Sequence, residues 1–214
     1  MNADGVSVVT TTWNERENIK LLIRTIQNTL KNMPHEIIVV DDSSTDGTAE
    51  IAEKLADKTI RKAREGQTKG LLHGMKLAKY PVIVTIDADL ENPPEIIPEL
   101  VEKAEQCDIL VASRTKLPRI SEKIASMTLG KIIGVKDVFS NFRVYKRETI
   151  SSFNLKGGET FGGELITIAK KKGFKIGETL YESIRRKNPK IGGTLKANLR
   201  IFWALVECLE IYLI

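Results

Sequence analysis

Apolar stretches and helical periods alternate along most of the chain. Val6–Thr12 reads as a buried strand, and Ile37–Val40, Val82–Ile86 and Ile109–Ala112 are short, continuously apolar runs. Between the first two, Ile19, Leu22, Ile23, Ile26 and Leu30 recur at intervals of three and four, the period of a helix with one buried face. Thr45–Leu55 predicts a second helix, entered through the Asp46-Gly47 turn, followed by a short strand at Thr59–Arg61 and a weaker helix at Leu71–Ala78. Pro93-Pro94 cannot lie inside a strand but suits the first turn of a helix, here continuing through Glu95–Glu105. Strands that are apolar throughout, separated by helices, are buried on both faces of a mostly parallel sheet. The prediction is an α/β/α three-layer sandwich. Beyond Arg114 the pattern loosens into an amphipathic stretch at Ile120–Val135, a strand at Val138–Tyr145, a helix at Gly162–Lys172 and a strand at Lys175–Tyr181. Leu195–Ile214 is the most apolar segment.

A length of 214 residues with 42% hydrophobic and 29% charged positions fits one globular domain with a short appendage. The division expected is a domain over residues 1–194 and an apolar helix over 195–214. Two cysteines, Cys107 and Cys208, make neither a disulfide framework nor a multi-cysteine zinc site, and fit a reducing compartment. Met1 leads through polar residues into the first strand without a leader-peptide pattern. Residues 1–149 carry 22 basic and 22 acidic side chains and residues 150–214 carry 11 and 6, so the whole net charge of +5 sits in the last third. That excess reads either as a solvated helix face carrying spare lysines, the usual case for a modest charge, or as a surface turned toward phosphate, of a nucleotide or a lipid headgroup. Nucleic acid is disfavoured, because aromatics are only 6% and no nucleic-acid-binding motif is present.

In a parallel α/β sheet, ligands bind at the carboxyl ends of the strands. Asp41 and Asp42 close the second strand, and Asp87 and Asp89 close the third in TIDADLENPPE. Two carboxylates separated by one residue can reach one hard divalent cation that keeps sites open for phosphate oxygens; Glu91 is a candidate third ligand. The first strand is followed by neither a Gly-x-Gly-x-x-Gly turn nor a Walker loop, which sets aside dinucleotide oxidoreductases and P-loop NTPases. Only His35 and His73 are present, leaving little material for a zinc site or a Ser-His-Asp triad.

Six segments, in order, carry a more specific signal: TTWNERENI (Thr11–Ile19), IIVVDDSSTDGT (Ile37–Thr48), KGLLHGMKLA (Lys69–Ala78), DADLENPPEII (Asp87–Ile97), ASR (Ala112–Arg114) and SNFRVYKRE (Ser140–Glu148). Together they resemble the family 2 glycosyltransferases of the GT-A fold, most of all the polyprenyl-phosphate sugar synthases of the dolichol-phosphate mannose synthase group. The resemblance implies that Thr11, Trp13 and Glu15 wrap the nucleoside, that Asp42 with Asp41 reads the base edge, and that Lys69 helps hold the nucleotide. It implies that Asp87 and Asp89, with Glu91 in place of a frequent Gln, hold Mg2+ or Mn2+, and that Arg114 and Arg143 serve the diphosphate and the acceptor phosphate. This chain has Thr11 and Trp13 where Pro and Tyr are usual, and Asn141 where Gly is usual.

The chemistry agrees with those roles. Breaking a sugar–diphosphate bond leaves negative charge on the departing nucleotide, which a divalent cation and arginines stabilise. A phosphate acceptor is already ionised and needs no general base, whereas a hydroxyl acceptor needs one; Glu164 in FGGELI is the candidate. Arg186, in the basic loop Arg185–Lys190, is a candidate cap for the diphosphate. The expectation is an inverting, metal-dependent transfer of mannose or glucose from a GDP- or UDP-sugar to a polyprenyl phosphate, with peripheral contact to the cytoplasmic face of a membrane. Ile201–Ile214, at about 1.5 Å per residue, reaches roughly 21 Å, short of the ~30 Å apolar core of a bilayer. Lys187, Lys190, Lys196 and Arg200 precede it and suit an anionic leaflet. Two rivals remain: a family 2 enzyme using a sugar or protein hydroxyl with Glu164 as base, and a nucleotide-sugar binding subunit without turnover.

Overall fold

The computed structural model describes residues 5–156, 159–184 and 194–214. Seven strands form one sheet: β1 (Val6–Thr12), β2 (His35–Asp41), β3 (Lys58–Arg61), β4 (Val82–Thr85), β5 (Ile109–Arg114), β6 (Arg143–Lys146) and β7 (Ile176–Tyr181). Their spatial order is β3-β2-β1-β4-β6-β5-β7. Every pairing is parallel except the two made by β6, which runs antiparallel between β4 and β5. The α/β class and the mostly parallel sheet agree with the apolar patterning.

Neighbouring residues of one strand face opposite layers. Val8, Ile37, Val39 and Val84 belong to one core, with Ile19, Leu22, Ile23 and Ile26 of α1 (Arg16–Thr29) and Ile97 and Leu100 of α4 (Ile97–Lys103). Val9, Ile38, Val40 and Ile83 belong to the other, with Leu71 and Met75 of α3 (Gln67–Lys76) and Leu165, Ile166 and Ala169 of α7 (Gly163–Lys171). Burial on both faces is what removes polar alternation from these strands. The short helix α2 (Thr48–Leu55) begins where Asp46 accepts the backbone N–H of Thr48.

Two segments depart from expectation. The predicted strand over Val138–Tyr145 begins only at Arg143. Residues 138–142 form a buried loop in which two carbonyls are taken by side chains, Arg143 Nη2 donating to Val138 O and Thr85 Oγ1 to Asn141 O, and only Phe142 O, next to β6, accepts a backbone N–H from β5, that of Ala112. Backbone groups satisfied in this way need no ladder. The amphipathic stretch after Arg114 is α5 (Ile120–Ala125), a π-helical turn at Ser126–Gly130 and the single turn α6 (Lys131–Ile133), ending at Gly134 with φ 91°. The apolar terminal stretch is α8 (Thr194–Leu213), which sets Ala197, Ile201, Ala204, Leu205 and Cys208 into the core shared with α3 and α7. Among the described residues no helix is long and apolar enough to cross a membrane.

Candidate active site

The carboxyl ends of β1, β2, β4, β5 and β7 open into one cleft of about 520 Å³. Thr11, Trp13, Glu15, Asp42, Asp87, Asp89, Glu91 and Arg114 line it, so the sheet order brings together candidates spread over a hundred residues of sequence.

At one end, β1 runs into a turn made by Asn14 at φ 55°, whose side chain accepts the N–H of Thr45. That turn leaves Trp13 at the cleft edge, 39% exposed, with the Arg64 guanidinium 3.6 Å from its ring centroid. Glu15 is buried and accepts the Asn18 side-chain amide at 2.7 Å. Asp42 staples the segment after β3: it accepts the N–H groups of Glu65 (2.9 Å) and Gly66 (3.0 Å) and the Lys62 ammonium (3.0 Å). Burial works against its charge, but those two amides and the ammonium outweigh burial and hold its carboxyl below the usual value.

In the middle, β4 delivers Asp87 and Asp89. Asp87 Oδ1 accepts the Gln67 amide at 2.5 Å, and Oδ2 accepts the Asn92 amide at 3.3 Å. Burial, and then the charge of Asp89, push the Asp87 carboxyl up to about 7. Two hard carboxylates one residue apart, the charge of Asp89 acting against that of Asp87, form a donor set that a divalent cation relieves, and the pair fits Mg2+ or Mn2+. Glu91 does not complete the set. Among the described residues no three His, Cys, Asp or Glu side chains gather into a metal-holding group. Leu90 turns the backbone at φ 64°, the Glu91 N–H returns to Asp89 Oδ1 at 3.1 Å, and the Glu91 carbonyl accepts Ile184 N–H at 2.8 Å.

At the other end, Arg114 grips Asp137 through two bonds (2.6 and 3.2 Å) and reaches Glu122 at 3.3 Å. Glu122 also takes Arg119 at 2.8 Å. Two arginines and two carboxylates leave this cluster formally neutral. Burial opposes the Arg114 charge, yet the Asp137 carboxylate prevails and raises its pKa. Arg114 is therefore a paired wall of the cleft rather than a free phosphate clamp.

Four candidates do not line the cleft. Arg143 is fully buried, its guanidinium donating to Val138 O, Gly162 O (2.8 Å) and Tyr145 Oη (3.2 Å); it braces two loops from behind instead of meeting phosphate. Glu164, also fully buried, accepts the N–H of Lys156, a position that does not suit a base for a bound hydroxyl. Asp41 turns into the chain and accepts the Ser44 N–H at 2.9 Å. Lys69 is exposed on α3. Arg186 lies outside the described residues.

Sequence reasoning did not assign Arg64, Gln67, Asn92, Arg119, Glu159 or Tyr181, all of which line the cleft. Glu159 caps the start of α3, accepting the N–H of Gln67 and the Thr68 hydroxyl (2.8 Å). Asn92, beside Pro93-Pro94, carried a faint signal by position; Tyr181, ending an edge strand, carried none.

A sequence model described as "Glycosyl transferase family 2" matches residues 7–163, a span running from β1 to the first residue of α7. The chain belongs to glycosyl transferase family 2. Among curated family relatives, a dolichol-phosphate mannosyltransferase of Pyrococcus furiosus is 35% identical over 170 residues, covering 70% of this chain and 48% of that protein. An undecaprenyl-phosphate 4-deoxy-4-formamido-L-arabinose transferase of Pseudomonas savastanoi is 33% identical over 164 residues, covering 69% and 49%. The chain thus spans about half the length of the curated relatives it matches. Among solved structures, glucosyl-3-phosphoglycerate synthase of Mycobacterium tuberculosis, in complex with Mn2+, UDP and glucosyl-3-phosphoglycerate, superposes with a TM-score of 0.77 at 20% identity, covering 95% of this chain and 79% of that one. Mannosyl-3-phosphoglycerate synthase of Rubrobacter xylanophilus gives 0.77 at 18% identity, covering 96% and 72%. At such identities the likeness is one of fold.

Proposed function

We propose that the chain catalyses inverting, metal-dependent transfer of a hexose from a nucleoside-diphosphate sugar to a polyprenyl phosphate. The observation that carries this reading is the convergence of Asp42, Asp87 and Asp89 on one cleft at the carboxyl edge of the sheet. The polyprenyl-phosphate substrates named for the relatives in Pyrococcus furiosus and Pseudomonas savastanoi support the acceptor class. Asp87 and Asp89 hold Mg2+ or Mn2+, which when bound stabilises charge on the departing diphosphate. Trp13, Glu15 and Asp42 hold the nucleoside, and Arg200, which lines the cleft, supplies positive charge for phosphate oxygens. The acceptor phosphate arrives ionised and attacks the anomeric carbon from the face opposite the nucleotide. It needs no base, in keeping with the buried Glu164.

The acceptor meets the enzyme at a membrane surface. Ala197, Arg200 and Ile201 of α8 line the cleft, while Leu195, Leu199, Phe202 and Trp203 of the same helix are exposed. Ile120 and Met127 extend the apolar surface across the neighbouring helix, and Lys123, Lys196 and Arg200 add positive charge. A helix with an exposed apolar stripe and a basic rim lies in the interface of an anionic bilayer. Residues 195–214 act as the docking element of the catalytic unit 1–194, on the cytoplasmic face.

Calorimetric titration of GDP-mannose and UDP-glucose, with and without Mn2+, on wild type and Asp89→Ala tests the donor site. Metal-dependent binding of one donor, lost in the variant, is expected. Sugar transfer to a short-chain polyprenyl phosphate then tests the acceptor. Transfer only to a soluble hydroxyl acceptor overturns the lipid reading, and tight donor binding without turnover overturns catalysis.

A further inference from the structure

Asp87 does not stand alone at the end of β4. Its Oδ2 accepts the side-chain amide of Asn92, and Asn92 Oδ1 accepts the hydroxyl of Tyr181 at the end of β7. Asn92 and Tyr181 are both buried, and the Tyr181 ring packs edge-on against Phe142 with centroids 5.6 Å apart. The chemistry fixes the direction of this chain. The ionised carboxylate, the form a cation binds, only accepts, so Asn92 turns its NH2 toward Asp87 and its carbonyl toward the tyrosine, which donates. The reverse amide orientation would set two acceptors against each other.

We propose that Asn92 and Tyr181 are positioning residues that orient Asp87 for a divalent cation, Tyr181 acting only through Asn92. This rests on the metal-dependent reading above. Gln67 takes Oδ1 from the α3 side while Asn92 takes Oδ2 from the β7 side, so the carboxylate plane is fixed from both flanks. Such fixing matters because Asp87 and Asp89 repel each other when both are ionised. A donor on each Asp87 oxygen stabilises the charged form that a cation requires. The link also ties the edge strand β7, three positions away from β4 in the sheet, to the centre of the cleft. Outer hydrogen-bond partners of metal ligands change metal affinity roughly 10–100-fold when removed.

The test is Mn2+ binding, read as free Mn2+ by electron paramagnetic resonance with saturating GDP or UDP present, on wild type, Tyr181→Phe, Asn92→Ala and the double variant. The phenylalanine keeps the ring against Phe142 and removes one hydroxyl. A Kd weakened about tenfold or more in Asn92→Ala and about threefold in Tyr181→Phe is expected. The double variant should be no weaker than Asn92→Ala alone, because a residue acting through Asn92 has nothing left to act on. Additive losses overturn the relay. So does an unchanged Kd in the single variants, including the case where only the melting temperature falls, as it would for residues that merely support the fold. Should Asn92→Ala not fold, the threefold shift in Tyr181→Phe decides. Wild type that takes up no Mn2+ with either nucleotide overturns the metal reading and the relay together; binding by wild type with unmoved variants overturns the relay alone.

Discussion

Helix α3 brings Gln67 to the cleft, and it does so by lying almost on the sheet. Its seat is made by Gly70 and Gly74, four residues apart and so on one face. A methyl group at Gly74 would fall 2.5 Å from Val9 Cγ1 and 3.0 Å from Val40 Cγ2; at Gly70 it would fall 2.7 Å from Thr11 Cγ2. Replacing either by alanine sets two effects against each other. Helix propensity favours alanine by about 1 kcal/mol. Overpacking a close-packed core costs about 1–3 kcal/mol. At Gly74 the second effect wins, because Val9 and Val40 are fully buried in the central strands β1 and β2 and β-branched side chains have little rotamer freedom. Gly74→Ala should lose about 1–2 kcal/mol net, a fall of roughly 2–8 °C in melting temperature for a domain of this size. At Gly70 the obstacle is the methyl of Thr11, at the cleft edge, which yields more easily. Gly70→Ala should be within about 1 kcal/mol of wild type in stability, yet weaken nucleotide binding severalfold by shifting Thr11 and the first turn of α3. Thermal melts and nucleotide calorimetry on both variants separate the two outcomes. A Gly74→Ala protein that melts higher than wild type would refute the reasoning, since propensity alone would then govern the position.

Other expectations follow from the charged groups and the exposed helix face. Asp87 has a pKa raised to about 7 from an unfolded value near ~3.9, so the folded state holds its proton where the unfolded state has lost it. Without metal this group's contribution to stability is lost as pH rises from about 4 through about 7, and Mn2+ should raise the melting temperature more at pH 8 than at pH 5; Asp87→Asn should erase that difference, and a pH-independent Mn2+ effect would contradict the assignment. Asp137→Ala strands Arg114, whose side chain is 13% exposed and keeps Glu122 at 3.3 Å. A loss of about 2–3 kcal/mol is expected in urea denaturation, below the ~3–5 kcal/mol for a fully orphaned buried charge, and a loss under about 0.5 kcal/mol would show the pair to be dispensable. Phe202→Ser with Trp203→Ser should abolish flotation with anionic vesicles while leaving donor binding intact, and unchanged flotation would remove α8 from the membrane contact.

Much of the fold could be read directly because double-sided burial writes itself into strands as unbroken apolar runs. β2, β4 and β5 were legible for that reason, and the helices between them by their period. What escaped was where β6 begins and which way it runs. Its start at Arg143 goes with Arg143 and Thr85 taking the carbonyls of Val138 and Asn141, side-chain bonds that leave no periodic trace, and its antiparallel run between β4 and β5 is a matter of strand order that apolar runs do not record. The candidate acids were legible for a related reason: an acidic residue closing an apolar run sits at a strand's carboxyl end whatever the neighbouring strand is. Asp42, Asp87 and Asp89 needed no knowledge of the sheet order to be placed on one edge.

The basic residues obey no such rule, and there the sequence reading and the structure part. Arg114 closes β5 and reaches the cleft, but Asp137 from the next loop claims its guanidinium. Arg143 opens an antiparallel strand and so pairs with Thr85 at the carboxyl end of β4, but its guanidinium turns to Val138 O, Gly162 O and Tyr145 Oη instead of into the cleft. An arginine's role is set by which carboxylate or carbonyl lies within reach, a property of tertiary neighbours rather than of spacing. The same dependence explains the silence of Tyr181 and Asn92. They are separated by 89 positions and meet only because β7 pairs with β5, and β6 lies between β5 and β4. The antiparallel strand that the patterning misjudged is thus the element that sets the distance from β7 to Asp87. An error about one strand was also an error about which residues can hold the central carboxylate.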